Sequence, residues 1–149
     1  MKACVIDASV AVKWYVPEVY SEEALDLLAA REKGEVQFHA PDLFTSELGN
    51  ILWKKVRRGV LEEKEAREIA RQLLAIPMLV HGSRGIFGAG LRLACRAGIT
   101  FYDALYVVLA IGLGCPLVTA DERLLGAAAR GDWGGVVCPV WSLSTGRRL

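Results

Sequence analysis

Residues 98–121, GITFYDALYVVLAIGLGCPLVTAD, hold an almost wholly apolar helix, a Gly-Cys-Pro turn and a short apolar run. The helix is predicted to begin near Tyr102 and carries one carboxylate, Asp103, in its first turn. Because a helix that is apolar on all sides is usually buried, we expect it in the core. The run 117–119 is bounded by turn signals and followed by Asp121, which is typical of a buried strand with an acid at its carboxyl end.

The start of the chain has the same arrangement of a short strand followed by an acid. Residues 3–6 are apolar and β-leaning, and they end at Asp7. Further short strands, alternating with helices, are predicted at residues 36–39, 79–81 and 136–138, which indicates βαβ units and a parallel sheet. Sites in such sheets form beyond the carboxyl ends of the strands. Asp7 and Asp121 would therefore meet if their strands are neighbours.

A further acid, Glu47, lies within the apolar stripe of a predicted helix. That helix is expected to begin after Asp42 as its N-cap, and Glu47 falls four residues after Leu43 and four before Ile51. A capping role can explain Asp121, which precedes the helical run ERLLGAAA, but it cannot explain an acid in the middle of a helix. Unpaired buried carboxylates are costly, so we expect a compensating partner.

Carboxylates brought within a few ångströms raise the pKa of at least one of them unless a cation is present. A site made of oxygen ligands suits Mg²⁺ or Mn²⁺, whereas two histidines and four cysteines without a CxxC pair argue against zinc. Such ions polarise a phosphoryl oxygen and stabilise the leaving oxygen during in-line displacement. The four acids therefore indicate phosphodiester chemistry.

Composition sets the class of protein. A length of 149 residues predicts a single domain over residues 1–149. No run reaches 18 apolar residues, and an acid stands at position 7, so we expect neither a membrane span nor a secretory signal but a cytoplasmic protein. A net charge of +1 neither favours nor excludes a polyanionic partner. The cysteines are expected to be buried and to behave as small apolar residues. The sequence does not decide whether any two of them form a disulfide.

Four segments, in order along the chain, resemble the PIN-domain ribonucleases of the VapC toxin type. They are VIDAS at 5–9, ELGN at 47–50 continuing to RRG at 57–59, TFYDALY at 100–106, and LVTADERL at 117–124. The resemblance implies a three-layer α/β/α fold around a central parallel sheet of about five strands. It also implies a metal-dependent endoribonuclease that acts on RNA, pairs with a cognate antitoxin protein and forms a homodimer.

The resemblance also implies roles for single residues. Asp7, Glu47, Asp103 and Asp121 fall on the acidic quartet of the family and are the expected catalytic residues. Within it, Asp7, Asp103 and Asp121 would contact Mg²⁺ (or Mn²⁺) directly or through water, and Glu47 would hold a metal-bound water or orient the attacking one. Ser9 and Thr119 fall on hydroxyl positions that support the pocket.

Four cations, Lys54, Lys55, Arg57 and Arg58, end the helix that carries Glu47. These cations could bind RNA phosphates. They could equally be a solvated helix end whose charges interact favourably with the helix dipole, and both interpretations stay open. Trp14 and Tyr15 are interpreted as a hydrophobic edge or dimer contact in preference to a base-stacking surface.

Residues 82–90, GSRGIFGAG, match neither GxxxxGK[ST] nor GxGxxG, so a nucleotide-binding loop is not predicted. We expect a flexible loop that caps a helix over residues 91–96.

Two other classes of function fit part of this sequence pattern. A non-catalytic PIN-like module would bind RNA or a protein without cleavage, but such a domain should have lost an acid. A phosphatase-like or response-regulator-like domain needs a lysine after a late strand near the acids, and here the last predicted strand leads to Pro139.

Overall fold

The computed structural model describes residues 2–143, which build a five-stranded parallel sheet with helices packed against it. The strands are β1 (Lys2–Ile6), β2 (Val36–Pro41), β3 (Leu79–His81), β4 (Leu117–Thr119) and β5 (Val137–Pro139). Their order across the sheet is β3-β2-β1-β4-β5, and every pairing is parallel. The chain thus builds outward from β1 to β3 and returns on the other side of β1, which puts the topological switch point between β1 and β4.

Helices connect the strands and cover the sheet. They are α1 (Ala8–Ala11), α2 (Ser21–Glu32), α3 (Phe44–Arg57), α4 (Glu63–Ala75), α5 (Phe87–Ala97), α6 (Phe101–Leu113) and α7 (Glu122–Arg130). Helix α6 packs against β1 and β2, α2 packs against β2, and α7 packs against β5. This arrangement confirms the predicted α/β/α class and the expected number of strands.

Helix α6 is the most buried helix of the described chain at its centre, but not along its whole length. Thr100 caps its N-terminus by accepting a hydrogen bond from the backbone N–H of Asp103, and Gly114 ends it with φ of 63°. Residues in the middle of the helix are buried, whereas Ile111 is 50% exposed and Leu113 39% exposed. The expectation that α6 is buried on all sides is therefore wrong at both ends, since Tyr102 in the first turn is also 60% exposed.

The predicted N-cap of α3 is wrong. Strand β2 runs on to Pro41, which pairs with His81, and no side chain caps α3 at Leu43. The Asp42 carboxylate instead accepts hydrogen bonds from the hydroxyl of Ser83 and, at 3.0 Å, from its backbone N–H. The longer strand pairing places Asp42 beside the end of β3. Its hydrogen bonds link the connection between β2 and α3 to the segment that follows β3.

The glycine-rich segment 82–90 is not the flexible loop that was expected. A 3₁₀ turn at Ser83–Ile86 leads directly into α5, and Gly90 lies inside that helix. A Cβ atom on Gly90 would lie 3.0 Å from Leu105 Cδ2 and 3.2 Å from the ring of Phe101. Glycine here allows α5 and α6 to approach each other closely.

The four cysteines are free, and only part of the expectation for them is correct. Cys4 is fully buried in β1, and burial raises the pKa of its thiol to about 12. Cys95 is exposed on α5, next to the buried pair Leu93 and Ala94, because it faces away from the core.

Within residues 2–143 no single helix has the length and apolarity to cross a membrane. Ser83–Ala97 and Phe101–Leu113 reach that threshold of length and composition only as a pair, bent by 117°.

Candidate active site

Asp7 follows β1 directly and lies at the switch point of the sheet. Its Oδ2 accepts hydrogen bonds from the Thr119 hydroxyl at 2.5 Å and from the Ser9 hydroxyl at 2.8 Å. Its Oδ1 accepts from the Ser9 backbone N–H at 3.3 Å, so Asp7 also caps α1. Strands β1 and β4 are neighbours, which was the condition for Asp7 and Asp121 to meet. This pairing also brings Thr119 to Asp7.

The two hydroxyl groups on Asp7 are themselves fixed by the backbone. The Ser9 hydroxyl oxygen accepts from the Ala120 N–H at 3.1 Å, and the Thr119 hydroxyl oxygen accepts from the Asp121 N–H at 3.0 Å. Because each oxygen accepts from a main-chain N–H, its own proton is directed at Asp7. Ser9 and Thr119 thus lie where the predicted supporting role needs them.

Burial sets the protonation of Asp7. It raises the pKa of this carboxyl, and the hydrogen bonds from Thr119 and Ser9 offset part of the rise, while the charge of Asp103 adds to it.

Asp121 follows β4 and caps α7. Its Oδ1 accepts from the backbone N–H groups of Arg123 at 2.8 Å and Leu124 at 3.3 Å, and its Oδ2 accepts from the Arg123 guanidinium at 3.2 Å. Burial acts to raise the pKa of Asp121, but these hydrogen bonds together lower it below its ordinary value. The capping interpretation of Asp121 is therefore correct.

Asp103 lies in the first turn of α6, as predicted. Its Oδ2 accepts from the Thr100 hydroxyl at 2.7 Å, while its backbone N–H donates to that hydroxyl oxygen at 3.1 Å. Burial raises the pKa of Asp103, the Thr100 hydrogen bond offsets part of the rise, and the charge of Asp121 increases it.

Glu47 lies in the first turn of α3 and not in the middle of the helix, because α3 begins later than expected. Its side chain is half-buried and makes no capping hydrogen bond; Oε2 instead accepts from the Tyr106 hydroxyl at 2.5 Å. Burial raises the pKa of Glu47 to about 7; the Tyr106 hydrogen bond opposes the rise, and the charges of Asp7 and Asp103 add to it. The compensating partner expected for a buried acid is thus a tyrosine.

The four carboxylates act on one another. Asp7 interacts electrostatically with Asp103 and with Glu47, and Asp103 interacts with Glu47 and with Asp121. Folding has therefore gathered negative groups from four separate elements at the carboxyl ends of β1 and β4.

Comparison with known proteins identifies the family. The PIN domain family matches residues 4–130. The chain belongs to the PIN-domain family. Ribonuclease VapC3 of Pyrobaculum aerophilum is 37% identical to this PIN domain over 122 residues, which are 80% of this chain and 90% of the relative. Ribonuclease VapC1 of Mycobacterium tuberculosis is 37% identical over 133 residues, 85% of this chain and 92% of the relative.

Solved structures resemble this PIN domain as well. The crystal structure of PAE2754 from Pyrobaculum aerophilum has a TM-score of 0.69 and 26% identity, covering 97% of this chain and 88% of the other. VapBC2 from Rickettsia felis, bound to a DNA fragment from its promoter, shares the fold with a TM-score of 0.60 and 14% identity, covering 92% and 98%.

The basic residues predicted to contact RNA lie away from the acids of this PIN domain. Glu47 is in the first turn of α3, and Lys54, Arg57 and Arg58 are exposed at its other end, about 10–15 Å along the axis. Lys55 is not presented to a ligand, because its ammonium pairs with Glu18 and its side chain is 15% exposed. The structure therefore does not bring these cations to the carboxylates.

Trp14 does not form a base-stacking surface. It is buried, its ring stacks on Phe38 at 5.4 Å between centroids, and its indole N–H donates to the Ala24 carbonyl at 2.9 Å. The interpretation of this segment as a hydrophobic edge is correct for Trp14.

The site suits a divalent cation in its chemistry. Its ligands would be carboxylate oxygens, which Mg²⁺ and Mn²⁺ prefer, and a cation would relieve the repulsion that raises the pKa of Asp7, Glu47 and Asp103. Within residues 2–143, however, no group of three or more His, Cys, Asp or Glu side chains is arranged so that it could hold a metal ion. Each of the four carboxylates accepts a hydrogen bond from a donor group of the protein.

Two residues of the site were not singled out from the sequence. Tyr106 is 2% exposed and holds Glu47, and Arg123 pairs with Asp121 and interacts with Asp103. Tyr106 follows Asp103 by three residues on a helix, and this spacing, which puts both on one face, was the available signal.

Proposed function

We propose that this PIN domain is an endoribonuclease that hydrolyses RNA phosphodiester bonds with Mg²⁺ or Mn²⁺, as the toxin of a type II toxin–antitoxin system. The observation that carries the proposal is the placement of the acids. Asp7 and Asp121 follow the neighbouring strands β1 and β4 and are linked through Thr119, and Asp103 and Glu47 lie in the first turns of α6 and α3. The relatives named ribonucleases support RNA as the substrate.

Asp7, Asp103 and Asp121 would hold the cation, and a bound cation would polarise the phosphate and stabilise the leaving oxygen. Asp7 is held by two hydroxyls and a backbone N–H, and Asp121 by two backbone N–H groups and the Arg123 guanidinium. Asp121 is kept ionised by the donors at the N-terminus of α7. These contacts orient the carboxylates before the substrate arrives, so little reorganisation is required on binding.

Glu47 would orient the attacking water and take its proton. Burial raises the pKa of Glu47 to about 7 in the metal-free protein, and a bound cation would lower it, so Glu47 would be ionised and able to accept a proton in the loaded enzyme. Tyr106 holds Oε2, so the proton would be taken at Oε1.

A cognate antitoxin, a homodimer and a cytoplasmic location belong to the same proposal. The resemblance to VapC toxins supports the antitoxin. Large apolar side chains support the dimer because they are about half exposed on two consecutive elements, β3 and α5: Leu79, Val80, Phe87 and Leu91.

A second candidate is a PIN-like module that binds RNA or a protein without cleaving. The observation in its favour is that the described residues include no group of three or more His, Cys, Asp or Glu side chains arranged to hold a metal ion. Titration calorimetry with Mn²⁺ separates the two candidates, since the nuclease should bind the ion at or below millimolar concentration and the module should not.

Cleavage of a mixed RNA substrate by wild type and Asp7→Asn tests the proposal. We expect metal-stimulated cleavage by the wild type, none in EDTA, and none by Asp7→Asn, with the same circular dichroism spectrum for both proteins. Asp42→Asn is the matched control, because Asp42 also follows a strand but binds Ser83. Unchanged cleavage by Asp7→Asn or by EDTA-treated protein would contradict the proposal.

A further inference from the structure

Tyr106 joins two elements at the candidate site. It lies on α6, it is 2% exposed, and its hydroxyl donates to Glu47 Oε2 on α3 at 2.5 Å. One hydroxyl group thus connects the middle of α6 to the first turn of α3.

The chemistry of Glu47 fixes the direction of this hydrogen bond. An ionised carboxylate accepts hydrogen bonds and cannot donate one, so the Tyr106 hydroxyl is the donor. Burial, with the charges of Asp7 and Glu47, raises the pKa of the tyrosine hydroxyl far above its usual value. Tyr106 therefore remains a donor across the physiological range.

The contact restricts a side chain that would otherwise be mobile. Glu47 has three side-chain torsions, is half-buried and is repelled by both Asp7 and Asp103. Repulsion from two like charges favours rotamers that turn a carboxylate outward to solvent. The Tyr106 hydroxyl opposes this, because a charge-assisted hydrogen bond to a buried donor is lost when Glu47 turns away.

We propose that Tyr106 is a positioning residue of the nuclease, whose buried hydroxyl holds Glu47 facing Asp7 and Asp103 by donating to Glu47 Oε2. This role rests on the proposed function, since it gives Glu47 its orientation towards the attacking water. Tyr106 itself does not touch the substrate.

Tyr106→Phe removes the hydroxyl and keeps the ring in the core. We expect kcat for RNA cleavage to fall about 10- to 100-fold, the usual effect of losing a partner that orients a group at a metal site. KM for RNA and the dissociation constant for Mn²⁺ should stay within about twofold, because Asp7, Asp103 and Asp121 keep their own donors. Tyr20→Phe is the matched control: Tyr20 packs on Trp141, away from the acids, and its variant should cleave as the wild type does.

A double-mutant cycle separates positioning from general loosening of the core. In the Glu47→Ala background, Tyr106→Phe should lower kcat no further, since no carboxylate remains to be held. An equal loss in both backgrounds, or wild-type kcat in Tyr106→Phe, would refute the role of Tyr106 and leave the proposed function intact. An inactive wild type would refute the proposed function.

A second readout tests the contact without activity. With 3-fluorotyrosine at position 106, the ¹⁹F resonance of the metal-free protein should shift in the Glu47→Ala variant and not in Glu63→Ala, whose side chain is exposed on α4. This measurement serves if Tyr106→Phe does not fold or if the wild type is inactive. An unshifted resonance in Glu47→Ala overturns the proposal.

Discussion

Thr119 and Asp7 stand 112 positions apart in the sequence, and the Thr119 hydroxyl donates a 2.5 Å hydrogen bond to Asp7 Oδ2. Thr119 is fully buried and its hydroxyl oxygen accepts from the Asp121 N–H. This one side chain therefore links the acid after β1 to the acid after β4.

Thr119→Val should impair the site while keeping the shape of the side chain. Loss of the hydroxyl removes a donor that lowers the pKa of Asp7, so that pKa rises further and the acidic limb of the cleavage rate should move to higher pH. We expect kcat/KM to fall about 10- to 100-fold. Thr45→Val, on the exposed face of α3, is the control. A pH–rate profile identical to that of the wild type would show that Thr119 does not act on Asp7.

The metal-free protein should be less stable at pH 8 than at pH 5. Glu47 has a pKa of about 7 when folded and 4.5 as its ordinary value, so the folded state binds more protons between these values. Its contribution to the free energy of unfolding is present below about pH 4.5 and is lost as the pH rises through 7. The raised pKa values of Asp7 and Asp103 act in the same direction. Thermal unfolding in EDTA measures the effect.

Glu47→Gln should reduce this pH dependence, because glutamine does not ionise. The variant should have a higher Tm than the wild type at pH 8 and a similar Tm at pH 5, while Glu63→Gln on the exposed face of α4 should leave the curve unchanged. A wild-type pH dependence in Glu47→Gln would mean that Glu47 is not the group responsible.

Mn²⁺ should stabilise the protein more at pH 8 than at pH 5. A ligand that binds the native state raises Tm, and carboxylates bind a cation only when ionised. We expect an increase of several degrees at millimolar Mn²⁺ at pH 8, and a much smaller increase in Asp7→Asn. Equal increases at the two pH values would contradict a carboxylate site.

Leu91→Glu should disrupt the proposed dimer. Leu91 is 49% exposed on α5, and a charge there would be desolvated in a dimer interface but harmless in a monomer. Light scattering after size exclusion should give a dimer for the wild type and a monomer for the variant. Leu74→Glu, at 61% exposure on α4, is the control and should remain dimeric. A wild-type monomer would exclude the dimer.

Gly90→Ala should destabilise the fold. Its Cβ would lie 3.0 Å from Leu105 Cδ2, and Leu105 is itself buried and cannot easily move. We expect a loss of about 1–3 kcal/mol in the free energy of unfolding. Gly49→Ala on α3, where a Cβ meets nothing within 4 Å, should instead stabilise by about 0.5–1 kcal/mol. Urea unfolding of both variants checks the contrast, and equal effects would mean that α5 and α6 adjust freely.

Local patterns in the sequence were sufficient for the fold class and for the four acids. Strand ends at Asp7 and Asp121 and the helix start at Asp103 follow from short-range periodicity and turn residues, which act over a few positions of the chain. The predicted ends of strands and helices were wrong where pairing between distant segments overrode the local sequence pattern. Strand β2 continues past its apolar run because β3 pairs with it, which moves Asp42 out of its capping role.

The partners of the acids were decided by tertiary structure. No local pattern connects Tyr106 with Glu47, 59 positions away, or Thr119 with Asp7, because such hydrogen bonds depend on how α3 packs and on which strand neighbours β1. The protonation of Glu47 likewise depends on burial and on charges from other elements. The sequence by itself thus determined which acids follow β1 and β4 and which acid opens α6, and the packing of distant elements decided how each one is held, because hydrogen bonding and desolvation act through space.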